Sequence, residues 1–135
     1  MTTPPPNSAT PSAPSAAGDR TRRAVLGDPH VDRAHAAATP FTADFQEFIT
    51  SYAWGAVWSR PGLNRHTRRL LTIAVLTALQ CEHELVMHVR AALEDDVTPD
   101  EIKEVLLHTA IYAGLPAANR AFGLAADLIP DEHAG

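Results

Sequence analysis

Apolar side chains recur along most of the chain at the three- and four-residue spacing of amphipathic helices. Over residues 42–58 this spacing predicts a helix with one inward-packing face, formed by Phe45, Phe48, Ile49 and Tyr52. The next helix is predicted from Asn64, a possible N-cap, to Gln80. Its run LLTIAVLTAL is apolar nearly all round, which is typical of a helix at the centre of a core.

Further helices are indicated downstream. Residues 82–94 continue the helical spacing, and Asp95-Asp96 then open a turn. The run Thr98-Pro99-Asp100-Glu101 forms a capping box with proline at the first helical position, which predicts a helix that ends at Gly114. A last helix is predicted over residues 115–129, closed by Pro130.

Residues 20–38 predict one more short helix, interrupted around residues 27–29. No window alternates with the period of two that is typical of a strand. We therefore predict an all-α fold, a single-domain bundle of five or six helices.

The composition sets the extent of the folded domain. Residues 1–18 are rich in Pro, Ala, Ser and Thr and have almost no large apolar side chain, so they are expected to form a disordered tail. The folded domain is then expected to span residues 19–131. A length of 135 residues with 45% hydrophobic residues suits one domain with a real core.

Charge and cysteine content exclude several classes of function. A net charge of -5 argues against general nucleic-acid binding, which needs a basic footprint. The single cysteine forms no internal disulfide, and no window is apolar for the length of a membrane span. The N-terminal residues lack the pattern of a secretory signal, so we expect a cytoplasmic protein without membrane or nucleic-acid partners.

A local cationic cluster interrupts this acidic background. The stretch RPGLNRHTRR over residues 60–69 contains four arginines and a histidine but no acid: Arg60, Arg65, His66, Arg68 and Arg69. Such a cluster is typical of a site for small anions, and a solvated helix start is the alternative.

The stretch CEHELVMH over residues 81–88 raises the question of a metal site, an acid/base site or an ordinary helix face. His83 and His88 are five residues apart, which places them roughly 140° apart around a helix. They cannot grip one ion from one side, so we predict no metal site of the H-E-x-x-H kind. Cys81, Glu84 and His88 instead follow the i, i+3, i+7 spacing of a single helix face.

Several motifs together resemble one known family. The block YAWGAVWSRPGLNRHTRRLLTIAVLTALQ, then HELVMHVRAAL and then VTPDEIKEVLLHTAIYAGLPAANRAF are similar to the 4-carboxymuconolactone decarboxylases of aromatic catabolism. The resemblance covers about residues 20–127. It implies the helical fold of the alkylhydroperoxidase D proteins and a homo-oligomer, with a hexamer expected.

Two positions distinguish this chain within that resemblance. The alkylhydroperoxidase D pattern C-x-x-C-x-x-x-H falls on Cys81, Glu84 and His88, so glutamate occupies the place of the second cysteine. Thiol chemistry that needs a cysteine pair is therefore lost. Decarboxylases of this type usually read YAWGEVW, whereas this chain has Ala56 in that motif.

The resemblance also implies a reaction that needs no cofactor. The substrate would be an unsaturated five-membered lactone with two carboxylates, whose own carbonyl accepts the electrons of the departing carbon dioxide. The sequence supplies no motif for pyridoxal phosphate, thiamine or a metal. The enzyme would then supply cations for the carboxylates, a donor to the lactone oxygen and an acid that protonates carbon.

Candidate residues for these roles can be named. Arg60, Arg65 and Arg68 are candidates for substrate binding, because guanidinium meets carboxylate in two parallel hydrogen bonds. His88 suits the donor or acid role, since its reference pKa of ~6.5 lies near working pH. Glu84 would orient the imidazole or share the proton transfer. Trp58 is a candidate for lining the substrate pocket, with a core or subunit contact as the alternative.

Two other functions stay open at this point. One is a non-catalytic helical oligomer that binds a small organic acid, and the other is a thiol-dependent antioxidant protein, which a single cysteine disfavours. Cys81 is expected to pack as a small buried residue. His83 is expected in solvent, and His108 with Tyr112 one turn on is expected to be structural.

Overall fold

A computed structural model describes residues 13–131. Within them the chain forms seven α-helices and one π-helical segment and no strand, which confirms the all-α class. The chain divides after Pro61 into two compact units. The helices outnumber the predicted five or six because the one predicted over residues 20–38 is in fact two.

The first unit contains α1 (Ala13–Leu26), α2 (Asp28–Ala36), α3 (Ala43–Ile49) and the π segment (Thr50–Trp58). The break between α1 and α2 lies at Gly27, whose φ of 90° favours glycine, and the predicted interruption there is confirmed. Helix α1 begins at Ala13, so the predicted disordered tail was wrong for residues 13–18. Ser15 in this segment is buried, because it lies beside the side chains of Glu47 and Ser51. The remainder of the predicted tail lies outside the described residues.

Helix α1 packs on the π segment through a very close approach at Gly18. A Cβ at this position would overlap the carbonyl oxygen of Thr50, so only glycine allows the two backbones to come this near. Buried Thr50 and Trp54 lie on the packed side of the segment. The predicted inward-packing face was therefore wrong for Phe45, Phe48 and Tyr52, which are 60%, 59% and 61% exposed, whereas Ile49 is half-buried.

The π-helical geometry also replaces the α-helix predicted up to Trp58. The Thr50 hydroxyl donates a hydrogen bond of 2.7 Å to the carbonyl of Gln46, and the Ser59 hydroxyl donates one of 2.7 Å to the carbonyl of Trp54. The same type of bond forms at Thr77 within a regular α-helix, so these bonds do not account for the π geometry. The wider helical ladder leaves no trace in hydrophobic spacing.

The second unit consists of α4 (Arg65–Ala78), α5 (Glu82–Leu93), α6 (Pro99–Ala113) and α7 (Leu115–Ala126). Asn64 caps α4 by accepting a hydrogen bond of 2.8 Å from the Thr67 N–H, and Thr98 with Glu101 forms the predicted capping box of α6. The core draws on all four helices and on the turn after α5: Ile73, Leu85, Val89, Ala92, Val97, Ile102, Leu106, Ala121 and Ala125.

Helix α4 contributes one face to this core. Arg69, Ile73 and Thr77 are buried, whereas Leu71, Val75 and Leu79 are 49%, 52% and 68% exposed. The prediction that the LLTIAVLTAL helix is central was therefore wrong for its outer face.

Candidate functional site

Helix α5 carries the residues predicted for catalysis. Cys81 is its N-cap and is half-buried, Glu84 lies exposed in the first turn, and His88 is buried with 8% of its surface accessible. His88 and Glu84 are one turn apart, about 6 Å along the helix axis. The structure thus places a shielded imidazole one turn from a carboxylate that is open to a ligand.

The corner before α5 is held in a strained conformation. Gln80 has a φ of 58°, the left-handed region that a non-glycine residue adopts at a cost of about 1–3 kcal/mol. The following N–H, that of Cys81, donates a hydrogen bond of 2.9 Å to the carbonyl of Leu76. Strained backbone of this kind is frequent beside functional sites.

The predicted arginine cluster divides by role. Arg69 is 2% exposed and donates a hydrogen bond of 3.0 Å to Asp95, so it holds the turn after α5. His66 Nε2 lies 2.7 Å from Glu101 Oε2 and connects the starts of α4 and α6. A backbone hydrogen bond from Thr98, helped by His66, lowers the pKa of Glu101.

Arg65 and Arg68 stand in the first turn of α4, the one exposed and the other half-buried. No acidic residue stands in that turn. The N-terminus of a helix is the positive end of its dipole, where arginines are unfavourable and anions are favoured. This helix start would therefore be stabilised by a bound carboxylate.

The hairpin of α4 and α5 sets the distances between these groups. Because Arg69 at the start of α4 pairs with Asp95 after the end of α5, the two helices are antiparallel. Glu84 lies roughly 16 Å along the axis from that end, and His88 lies between. Arg65 and Arg68 are therefore nearer to His88 than to Glu84.

Trp58 and Arg60 lie at the end of the π segment, in the first unit. The Trp58 ring is half-buried and stands 5.0 Å, centroid to centroid, from the ring of Trp54, which is buried. Arg60 is exposed two residues further on. Ala56, where the decarboxylase motif usually has glutamate, is exposed on the same segment.

One charged pair near the predicted catalytic residues had not been anticipated. Arg120 of α7 donates two hydrogen bonds to Glu82, of 2.6 and 3.1 Å, and these bonds lower the pKa of Glu82 and raise that of Arg120. The pair fastens the first turn of α5, where the N-cap Cys81 provides no side-chain hydrogen bond. Its members are 38 residues apart, so spacing gave no signal of it.

The second unit thus combines a shielded imidazole, an open carboxylate and a cationic helix start. An imidazole can donate a hydrogen bond to a developing oxyanion or deliver a proton, and guanidinium groups can hold carboxylates. The arrangement suits acid/base chemistry on a small anionic substrate.

Comparison with known proteins gives consistent results. The sequence profile of the Carboxymuconolactone decarboxylase family matches residues 43–127, a range that extends over both units. The protein named 4-carboxymuconolactone decarboxylase from Acinetobacter baylyi is 54% identical over 114 residues, which are 84% of this chain and 85% of that protein. The nitrosuccinic acid decarboxylase of Metarhizium robertsii is 45% identical over 104 residues, or 77% of this chain and 73% of that protein.

Proposed function

Since the chain belongs to the carboxymuconolactone decarboxylase family, we propose that it is a carboxy-lyase that converts 4-carboxymuconolactone into 3-oxoadipate enol-lactone and carbon dioxide. The reaction needs no cofactor and belongs to the protocatechuate branch of the β-ketoadipate pathway. The observation that carries the proposal is the 54% identity to a decarboxylase of that name over 84% of the chain.

The substrate itself supplies the electron sink. When the bond between the ring carbon and its carboxylate breaks, the electron pair moves through the ring double bond to the lactone carbonyl and carbon dioxide leaves. The resulting enolate then takes a proton at the carbon next to the carbonyl. The protein must hold the dianion, stabilise the oxyanion and provide that proton.

His88 is proposed as the donor to the lactone oxygen or the acid that protonates carbon. Its burial supports this role, because a donor acts more strongly on a developing charge where water is largely excluded. Glu84, one turn away and exposed, is proposed to share the proton transfer. A carboxylate there also lies within reach of bulk water, from which the consumed proton can be replaced.

Arg65 and Arg68 are proposed to bind one substrate carboxylate at the start of α4. The helix dipole and the absence of acidic residues in that turn both favour an anion there. Arg60 and Trp58 stay proposed as substrate-binding residues, the one as a further cation and the other as an apolar side chain. We also propose that the protein works as a homo-oligomer, with a hexamer expected.

Loss of the ultraviolet absorbance of the lactone tests the proposal directly. Purified protein dialysed against a chelator is expected to consume the lactone and release one carbon dioxide per molecule. Nitrosuccinate, the substrate in the name of the second relative, is the comparison compound. Turnover of nitrosuccinate with none of the lactone, or a lack of turnover of either compound, would contradict the proposal.

A further inference from the structure

An aromatic face lies exposed on the first unit. Phe41, Phe45, Phe48 and Tyr52 are 94%, 60%, 59% and 61% exposed, and the rings of Phe48 and Tyr52 stack with centroids 5.4 Å apart. Phe45 and Phe48 belong to α3, Tyr52 follows in the π segment and Phe41 lies in the turn before α3. A contiguous exposed apolar patch of this kind marks an interaction surface.

The second unit has a groove of matching character. A cavity of about 310 Å³ lies between α4 and α6, and its walls are largely apolar. Leu70, Leu71 and Ala74 of α4 line one side and Val105 of α6 lines the other. Val75 and Leu79 continue the apolar surface of α4 beyond the groove. The volume of the groove is large enough for two phenyl rings.

We infer that the aromatic face of one copy of this chain docks in the α4–α6 groove of a second copy. The charges near both surfaces support a second copy as the occupant and indicate how the two surfaces align. Asp44 is exposed beside Phe45 at the start of the aromatic face, and Arg65 and Arg68 stand at the start of α4. Asp44 then meets these arginines when the two surfaces align start to start, beside Glu104 and His108, the charged and titratable side chains that line the groove.

The groove helix is long enough for the aromatic face. Phe45 and Tyr52 lie at most about 11 Å apart along the helix axis, and α4 extends roughly 20 Å. The exposed part of the four rings amounts to roughly 550 Å² when each ring buries about 200 Å² in full. If the groove buries a similar area, the total buried surface exceeds the roughly 1,000 Å² expected of a specific interface.

Because each copy offers both surfaces, the contact either repeats head to tail, giving a ring when the rotation between copies closes, or is made twice across a two-fold axis. The interface would border the first turn of α4, where substrate binding is proposed. The inference goes beyond the proposed function because it names the two surfaces that join copies of the chain. It does not depend on which lactone is turned over.

Two single variants and their mixture test the contact by native mass spectrometry and sedimentation velocity. Phe45→Asp damages the aromatic face and leaves the groove intact, whereas Val75→Asp does the reverse. Each variant alone is expected at a lower mass than the wild type. An equimolar mixture is expected to form a species with both chains, because each contributes one intact surface. Leu115→Asp, at an exposed leucine outside both surfaces, is expected to keep the wild-type mass.

Several outcomes would overturn the inference: a monomeric wild type, a variant of either surface that keeps the wild-type mass, or a mixture in which the two chains do not associate. Circular dichroism checks that each variant is helical. If the aspartate variants do not fold, Phe45→Ser and Val75→Ser take their place.

Cross-linking provides a second measurement. Asp44→Cys and Arg65→Cys, each in a Cys81→Ser background, should cross-link on oxidation only when the two proteins are mixed. Failure to cross-link would also count against the contact. Both measurements are made without substrate, so they stand apart from the test of turnover.

Discussion

The ion pair between Arg69 and Asp95 gives an unusual stability prediction. The guanidinium is 2% exposed, yet only Nη2 makes a hydrogen bond, of 3.0 Å, to Asp95. Its Nε and Nη1 are buried without a hydrogen-bond partner among the described residues, and Nε lies 3.8 Å from Asp96. We predict that removing the half-exposed Asp95 destabilises the protein more than removing the buried Arg69.

The magnitudes follow from these contacts. Asp95→Ala leaves a buried charge with a single distant partner. Breaking a fully buried pair costs about 3–5 kcal/mol, so with a 48% exposed partner we expect about 2 kcal/mol. Arg69→Met loses a charged hydrogen bond of about 1.5–3 kcal/mol but also removes two unsatisfied groups that cost about 1–3 kcal/mol each. These terms leave Arg69→Met no more than about 1 kcal/mol less stable than the wild type, and it should be more stable where both removed groups cost their full amount.

Urea unfolding at fixed protein concentration measures the difference. With a slope of about 1–3 kcal/mol per molar urea, Asp95→Ala should lower the midpoint by about 1 M. Glu94→Ala is the matched control, since it removes an exposed carboxylate from the same helix end. It should be neutral or slightly stabilising, because a negative charge there opposes the helix dipole. An Arg69→Met protein less stable than Asp95→Ala would refute the reasoning.

Further predictions concern the site and the response to acid. Glu84→Gln should reduce lactone turnover substantially because the amide cannot take a proton, whereas Cys81→Ser should stay within a few-fold. A loss of turnover in Cys81→Ser with none in Glu84→Gln would assign the chemistry to the thiol. Arg65→Ala should raise KM with little change in kcat if the guanidinium binds the substrate and transition state equally, and an unchanged KM would remove it from the site. Because the pKa values of Glu82 and Glu101 are lowered from 4.5 in the folded protein, both stabilise it above that pH. This stability should be lost as pH falls below about 4.5, and urea midpoints that do not fall in this range would contradict the assignment.

Hydrophobic spacing and capping chemistry predicted most helices because both signals are local. The capping box of Thr98 and Glu101 and the N-cap Asn64 were correctly predicted from three-residue spacing alone. The π segment was not predicted, since its residues carry no distinctive pattern of apolar spacing or capping. The prediction of which helix face packs inward also failed where the packing partner is distant in sequence, as for the face that contains Phe45.

The candidate site shows the same limit. Sequence spacing placed Glu84 and His88 one turn apart on a helix, which the structure confirms. It could not tell that Arg69 turns into the core while Arg65 faces outward, because that division depends on the position of Asp95 after the next helix. The roles proposed for these side chains in turnover stay predictions.

The central claim is that this chain decarboxylates the lactone with the imidazole of His88 and without a cofactor. The most direct test compares lactone turnover of the wild type, His88→Ala and the control His83→Ala, an exposed histidine on the same helix. All three are dialysed against a chelator and checked for equal helicity and mass. We predict at least about a 100-fold loss for His88→Ala, the usual value of a general acid, and a change within a few-fold for His83→Ala. Turnover by His88→Ala close to that of the wild type would contradict the account.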